Sequence, residues 1–180
     1  MYADVIFAGF GGQGVVLAGT LLAQAAMDHG LCVTFMPVYG PEMRGGTANC
    51  TVVISEEEIG SPIIKRPQGL VALNRPSLEK FQPSLVDGGV LVVNSSLVEP
   101  ELADAPRVKA FFVPANAIAE KTGNARMVNM VILGAYAKAS GAIPLERLQS
   151  SLPHVVPPHY AHMIPKNAEA LQAGWDAVPR

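Results

Sequence analysis

Gly9-Phe-Gly-Gly-Gln-Gly14 lies directly after an apolar run, Val5-Ile-Phe-Ala-Gly-Phe10, and directly before Val15–His29, a stretch rich in alanine and leucine. A short apolar run that ends in glycines reads as a buried strand. The stretch that follows, closed by Gly30, reads as a helix. The G-x-G-x-x-G spacing therefore falls in a strand-to-helix turn. There glycines let a backbone approach closely, and the helix N-terminus offers free N–H groups and the positive end of its dipole. A chain built on such a turn is committed to an α/β architecture.

Cys32–Val38 is a second β-branched and aromatic run, so residues 5–38 predict a strand–helix–strand unit with parallel strands. A dinucleotide site also needs an acid near the end of the second strand to hold a ribose. Here that region is Thr34-Phe-Met-Pro-Val38, and no acid follows until Glu42. Dinucleotide binding is therefore poorly supported. Two readings of the glycines stand beside it: a seat for a phosphate-bearing ligand, and a tight turn that lets helix, strand or a partner's backbone come close.

Further along, strands are predicted at Thr47–Ile54, Gly69–Leu73, Gly89–Asn94 and Val108–Val113, with a short edge piece over Ile59–Arg66. Pro76 suits the first turn of a short helix. Helices are predicted over Asn116–Lys121, Val128–Ser140, Leu145–Ser150 and His159–Trp175, with Pro153–Pro158 as a rigid connector. The expected fold is a three-layer, Rossmann-like open α/β sheet. It is mostly parallel, with antiparallel pairing around Thr47–Ile54 and a helical C-terminal third. No linker divides residues 1–180 into two domains.

The charge balance narrows the function. Lys and Arg number 13 against 15 Asp and Glu, with no basic run, so nucleic-acid binding has no electrostatic footprint. Charged residues are only 16% of the chain, which suits a protein that buries part of its surface against partners. Val5–Met27 has no charged side chain, yet Gly9, Gly11, Gly12, Gly14 and Gln13 interrupt its middle and Arg44 is the first basic residue. A membrane span is not expected there. Two cysteines, Cys32 and Cys50, are too few for a cluster or a disulfide scaffold, and a reducing cytoplasm is the expected setting.

A second loop, Tyr39-Gly-Pro-Glu42-Met-Arg44-Gly45-Gly46, is expected at the carboxyl edge of the sheet beside Gly9, Gly11, Gly12, Gln13 and Gly14. Arg44 there can clamp a carboxylate or phosphate, or pair with Glu42 and brace the loop. Asn94-Ser95-Ser96 and Pro114-Ala115-Asn116 are expected to reach the same edge, and Asn129 to stand at the start of a helix. His154, His159 and His162 read as a surface patch rather than a metal site, and Cys50 as a core residue. No nucleophile elbow, Walker lysine or HExxH occurs, so no catalytic residue is assigned to this chain.

Gly9–Val15 followed by Tyr39-Gly-Pro-Glu-Met-Arg-Gly-Gly-Thr-Ala-Asn-Cys50 resembles the gamma subunit of 2-oxoacid:ferredoxin oxidoreductases. Ile59-Gly-Ser-Pro62 and the Gly123–Ala135 segment fit as well, and the Pro-Glu-Met-Arg-Gly-Gly-Thr-Ala form looks most like the 2-oxoglutarate or branched-chain members. The resemblance implies a multisubunit enzyme that uses thiamine diphosphate, Mg2+, [4Fe-4S] clusters and coenzyme A. That enzyme converts a 2-oxoacid and CoA to acyl-CoA and carbon dioxide, passing electrons to ferredoxin. It implies alpha and beta subunits and a ferredoxin-like subunit or ferredoxin as partners. The chain lacks a Gly-Asp-Gly thiamine motif and a cluster-binding cysteine set, so no cofactor is expected on it alone. A stand-alone nucleotide- or CoA-binding module, a self-associating structural protein, and an indolepyruvate or branched-chain oxidoreductase subunit are the alternatives.

Overall fold

A computed structural model describes residues 1–40 and 46–179. The chain runs β1 (Tyr2–Phe10), α1 (Val15–Asp28), β2 (Cys32–Tyr39), β3 (Thr47–Ser55), β4 (Gly69–Ala72), α2 (Arg75–Phe81), β5 (Val90–Asn94), β6 (Lys109–Val113), α3 (Ala115–Lys121), α4 (Val128–Ser140), α5 (Leu145–Val155) and α6 (Ile164–Asp176). The six strands form one sheet in the order β2-β3-β1-β4-β5-β6. β1, flanked on both sides, is apolar without alternation over Val5–Ala8, as a doubly covered strand requires.

β1, β4, β5 and β6 pair in parallel, whereas β3 pairs antiparallel with both β1 and β2. β1 and β2 thus run in the same direction, as the strand–helix–strand spacing predicts, but they are not neighbours. The short connection after β2 returns β3 beside it. β3 then occupies the place next to β1 because Cys50, Val52 and Ile54 bury against the α1 side of the sheet.

Three boundaries differ from the sequence reading. Ile59–Arg66 forms no strand. Pro62 cannot donate to a ladder, and the following backbone is tied instead by Gln68 N–H to the Asp4 carboxylate at 2.7 Å. Pro153 lies inside α5 rather than opening a connector. Its missing N–H costs one bond near the helix end, while buried Leu148 and Leu152 hold the helix on the core. The last helix is split: Pro158–Met163 is a 3-10 turn, and α6 begins at Ile164. Pro165 lacks the N–H an interior position needs, so it fits only a first turn.

Helix ends follow local chemistry. Asn74 caps α2 by accepting the Ser77 N–H at 3.0 Å. Gly30, at φ 78, closes α1. Its N–H donates to the Met27 carbonyl and that of Leu31 to the Ala26 carbonyl, the paired bonds of a Schellman end.

Helices α1 and α4 cover one face of the sheet, with α5 and α6 packed on them, and α2 lies on the other face in a cluster with Ile6, Ala8, Leu70 and Leu91. Phe7 meets Tyr136 edge-to-face at 5.6 Å in the larger core. Helix α4 is buried on every side from Val128 to Ala137, which requires α6 to lie directly on its backbone. Gly134 and Gly174 allow this: a Cβ on Gly134 would overlap the Leu171 carbonyl, and one on Gly174 the Val131 carbonyl. A second tie joins α1 to α5. The Asp28 carboxylate accepts from Ser151 Oγ at 2.6 Å, His154 Nδ1 at 2.7 Å and Gln24 Nε2 at 2.7 Å.

Two outcomes follow from these contacts. Gly174→Ala overpacks the α4–α6 crossing and destabilises the chain by about 1–3 kcal/mol, with roughly 2–4 °C lost from the thermal midpoint per kcal/mol. The donors from Ser151, His154 and Gln24 hold the Asp28 carboxyl down, at about 2 against an ordinary 3.8. This tie contributes stability above 3.8 that is lost as pH falls towards about 2. Urea midpoints measured across that window should fall less steeply in Asp28→Asn than in the parent.

Candidate functional site

The site grows from the turn between β1 and α1. Gly9 has no side chain, so Gln13 Oε1 occupies the space 2.6 Å from where a Cβ would sit. There Oε1 accepts the Phe10 N–H at 2.6 Å and Asn74 Nδ2 at 3.1 Å. Asn74 thus caps α2 with one end of its amide and holds the glycine turn with the other. Gly11 N–H donates to the Gly46 carbonyl at 2.8 Å, joining the turn to the residues before β3.

Gly12 and Gly14 take left-handed backbone, at φ 91 and 73. Gly12 faces open space, whereas a Cβ on Gly14 would lie 2.5 Å from Asn129 Nδ2. That buried amide donates to the Gly14 carbonyl at 3.3 Å, the same oxygen that accepts the first helical N–H of α1, from Ala18, at 3.0 Å. Asn129 therefore anchors α4 to the start of α1.

Because Gly14 is the N-cap, no side chain caps α1, and its first turn holds no acid. The N–H groups of Val15, Val16 and Leu17 have no intrahelical acceptor, and no acid in the first turn offsets the dipole's positive end. Arg126 borders this end. It belongs to a 3-10 turn, Ala125–Met127, whose start Asn124 caps by accepting the Arg126 N–H at 3.0 Å. Its exposed side chain lines two adjoining cavities that also share Gly12. One, of about 350 Å³, is polar and includes Gln13 and Asn116. The other, of about 280 Å³, is walled by Leu17, Met127, Val155, Val156, Tyr160 and Met163. A cation, free N–H groups and a left-handed glycine around one hollow suit an anionic group, with apolar space alongside.

The turn thus brings Gly9, Gly11, Gly12, Gln13, Gly14, Gly46 and Asn129 together. Asn116 reaches the polar cavity, and its Oδ1 accepts from Asn94 Nδ2 at 2.8 Å. Buried Asn94 is a staple: its Oδ1 takes the N–H groups of Ser96 and Ala115, both at 3.2 Å. Ser95 and Ser96 line a separate hollow. Tyr39 ends β2 and is 68% exposed. Glu42, Arg44 and Gly45 lie outside the described residues.

Other candidates stand apart. His154 bonds Asp28, whereas His159 and His162 flank Tyr160. Among the described residues no group of three or more metal-ligating side chains converges. Cys50 is fully buried, its thiol pushed up to about 12 by desolvation, with Sγ donating to the Val15 carbonyl at 3.6 Å. Such a thiol is a core group, not a nucleophile. No helix among the described residues is long and apolar enough to cross a membrane. Arg126 is the residue that the sequence reading passed over. A lone arginine just before a helix was its only signal, and folding alone brings it beside Gly12.

Gly12→Ala carries only the left-handed penalty, about 1–2 kcal/mol. Gly14→Ala carries that and the overlap with Asn129, so its urea midpoint should fall further. Adding Asn129→Ala to Gly14→Ala should recover part of the difference.

The pyruvate ferredoxin/flavodoxin oxidoreductase family model matches residues 4–177. A ketoisovalerate oxidoreductase subunit VorA from Methanothermobacter thermautotrophicus is 48% identical over 130 residues, 72% of this chain but only 27% of that relative's length. A 2-oxoglutarate synthase subunit KorC from Methanothermobacter marburgensis is 38% identical over 99% of this chain and 97% of its own. The crystal structure of a keto/oxoacid ferredoxin oxidoreductase gamma subunit from Geobacter sulfurreducens matches with a TM-score of 0.84 at 27% identity. That match covers 98% of this chain and 96% of that one.

Proposed function

The chain belongs to the pyruvate ferredoxin/flavodoxin oxidoreductase family, and on that premise we propose that it is the gamma-type subunit of a 2-oxoacid:ferredoxin oxidoreductase. The complex converts a 2-oxoacid and coenzyme A to an acyl-CoA and carbon dioxide, and electrons leave to ferredoxin. Thiamine diphosphate, Mg2+ and the iron–sulfur clusters are carried by its alpha, beta and ferredoxin-like partners. The buried Cys50 thiol and the exposed Cys32 give this chain no cysteine set for a cluster. Free cysteines suit a cytoplasmic setting.

The observation that carries this reading is the anion seat at the α1 N-terminus, framed by Gly12 and Arg126 and opening beside an apolar cavity. A phosphate of coenzyme A fits the polar side by charge and by free N–H groups. β2 carries no acid to hold a ribose, so the seat suits a supporting role in CoA binding better than a nicotinamide or flavin dinucleotide. Relatives named for 2-oxoglutarate and for ketoisovalerate both align here. We assign 2-oxoglutarate as the first substrate to assay, with branched-chain 2-oxoacids second.

The test is anaerobic purification of the complex through a tag on this chain, followed by ferredoxin reduction with each 2-oxoacid. Arg126→Ala removes a charge-assisted contact of about 1.5–3 kcal/mol, so the KM for CoA should rise by roughly tenfold to a hundredfold with the 2-oxoacid KM unchanged. An unchanged KM for CoA removes Arg126 from the seat.

A further inference from the structure

Helix α1 packs on β2 and β3 from one side of the sheet, while α2, on the other side, packs on β1 and β4. Strand alternation places Met36 and Val38 of β2, and Asn49 and Thr51 of β3, on the same face as Ile6 and Ala8. Towards β2 that face opens to solvent: Met36 is 36% exposed and Val38 48%, with Phe10 at 37% at the end of β1. Neither Cys32–Tyr39 nor Thr47–Ser55 contains a single Asp, Glu, Lys or Arg.

An antiparallel face that meets water normally carries polar and charged residues in alternation, and edge strands are commonly guarded by lysine. On β2 and β3 this one carries neutral polar residues but no charge and no lysine. Absence of charge, with methionine and aromatic residues among neutral polar ones, is the composition of an interface core. The edge itself is closed to strand addition, because Pro37 has no N–H to offer a further ladder. The surface therefore presents its face rather than its edge.

The comparisons indicate what covers it. The residues that match make up 97% of a separate 2-oxoglutarate synthase subunit, whereas a match over 72% of this chain makes up only 27% of the longer ketoisovalerate subunit. Parts that are covalently joined in one relative gain their proximity from the link, whereas separate chains must hold each other by surface alone. Resting on the multisubunit reading above, we propose that the β2–β3 face around Met36, Val38 and Thr51 docks a separate polypeptide homologous to the remaining length of that ketoisovalerate subunit.

Val38→Glu places a charge at the centre of the face, where docking would bury it unpaired. Because Val38 is half-exposed in this chain, the purified variant should keep its circular-dichroism spectrum and thermal midpoint. Tagged parent, Val38→Glu and, on the exposed side of α5, Glu146→Lys are purified from cells that make the complex. The larger chain is identified by peptide mass. The expected result is full recovery of that chain with the parent and Glu146→Lys, and at least about a tenfold loss with Val38→Glu. Equal recovery with Val38→Glu overturns the docking face and leaves the multisubunit reading intact. A parent that brings down no such chain overturns the multisubunit reading itself. A parent that sediments as a dimer, dissociated by Val38→Glu, makes the face a contact between copies of this chain and also overturns the proposal.

Discussion

The turn out of β1 is held from three directions, and the layout of the carboxyl edge depends on it. Gly14 adopts a backbone that a side chain would strain, and the space its missing Cβ leaves is filled by the amide of Asn129. That amide bonds the carbonyl from which α1 starts. Gln13 folds back to Asn74, and Gly11 is tied to Gly46. Helices α1, α2 and α4 and strand β3 are thus fixed relative to one short loop. Backbone N–H groups can serve the anion seat proposed above only if they are held in place, and these contacts hold them.

The sheet shows a second dependence. By entering between β1 and β2, β3 moves β2 to the edge and turns one strand of an otherwise parallel sheet around. Two consequences follow. The larger core gains Cys50, Val52 and Ile54 beneath α1, where Gly19 makes room for the Cys50 sulfur. The opposite face of β2 and β3 extends past the cover that α2 supplies. The same two strands therefore have one face in the core and the other partly exposed, as at Met36 and Val38.

Much of this was legible because single residues carry strong constraints. The glycine spacing marked the strand-to-helix turn, Pro76 the start of α2 and Gly30 the end of α1. Pro165 carried a signal for the start of α6 that the reading of His159–Trp175 as one helix did not use, since a proline ring is disfavoured at later positions in a helix. Pro153 misled because its penalty is outweighed by packing: Leu148 and Leu152 are buried, and helix survival there is decided by what they touch. The shared direction of β1 and β2 was legible because direction follows from connection length, whereas their separation by β3 was not, because adjacency depends on which strand best fills the gap. Arg126 was invisible for a related reason. Residues 12 and 126 meet only after α4 has packed against α1, and no local pattern announces such a meeting.

The sequence by itself determined the elements and the turn chemistry. Periodicity, left-handed backbone and the missing N–H of proline act over a few residues and need no partner. It also determined that few charges would be available to cover the surface. Tertiary structure alone decided the strand order, the backbone crossing at Gly134 and Gly174, the encounter of Arg126 with the glycine turn, and the sheet face left bare. Each of these depends on shape fitting between segments far apart in the chain. That fit is settled by close packing and by the pairing of buried polar groups, and neither leaves a periodic trace along the sequence.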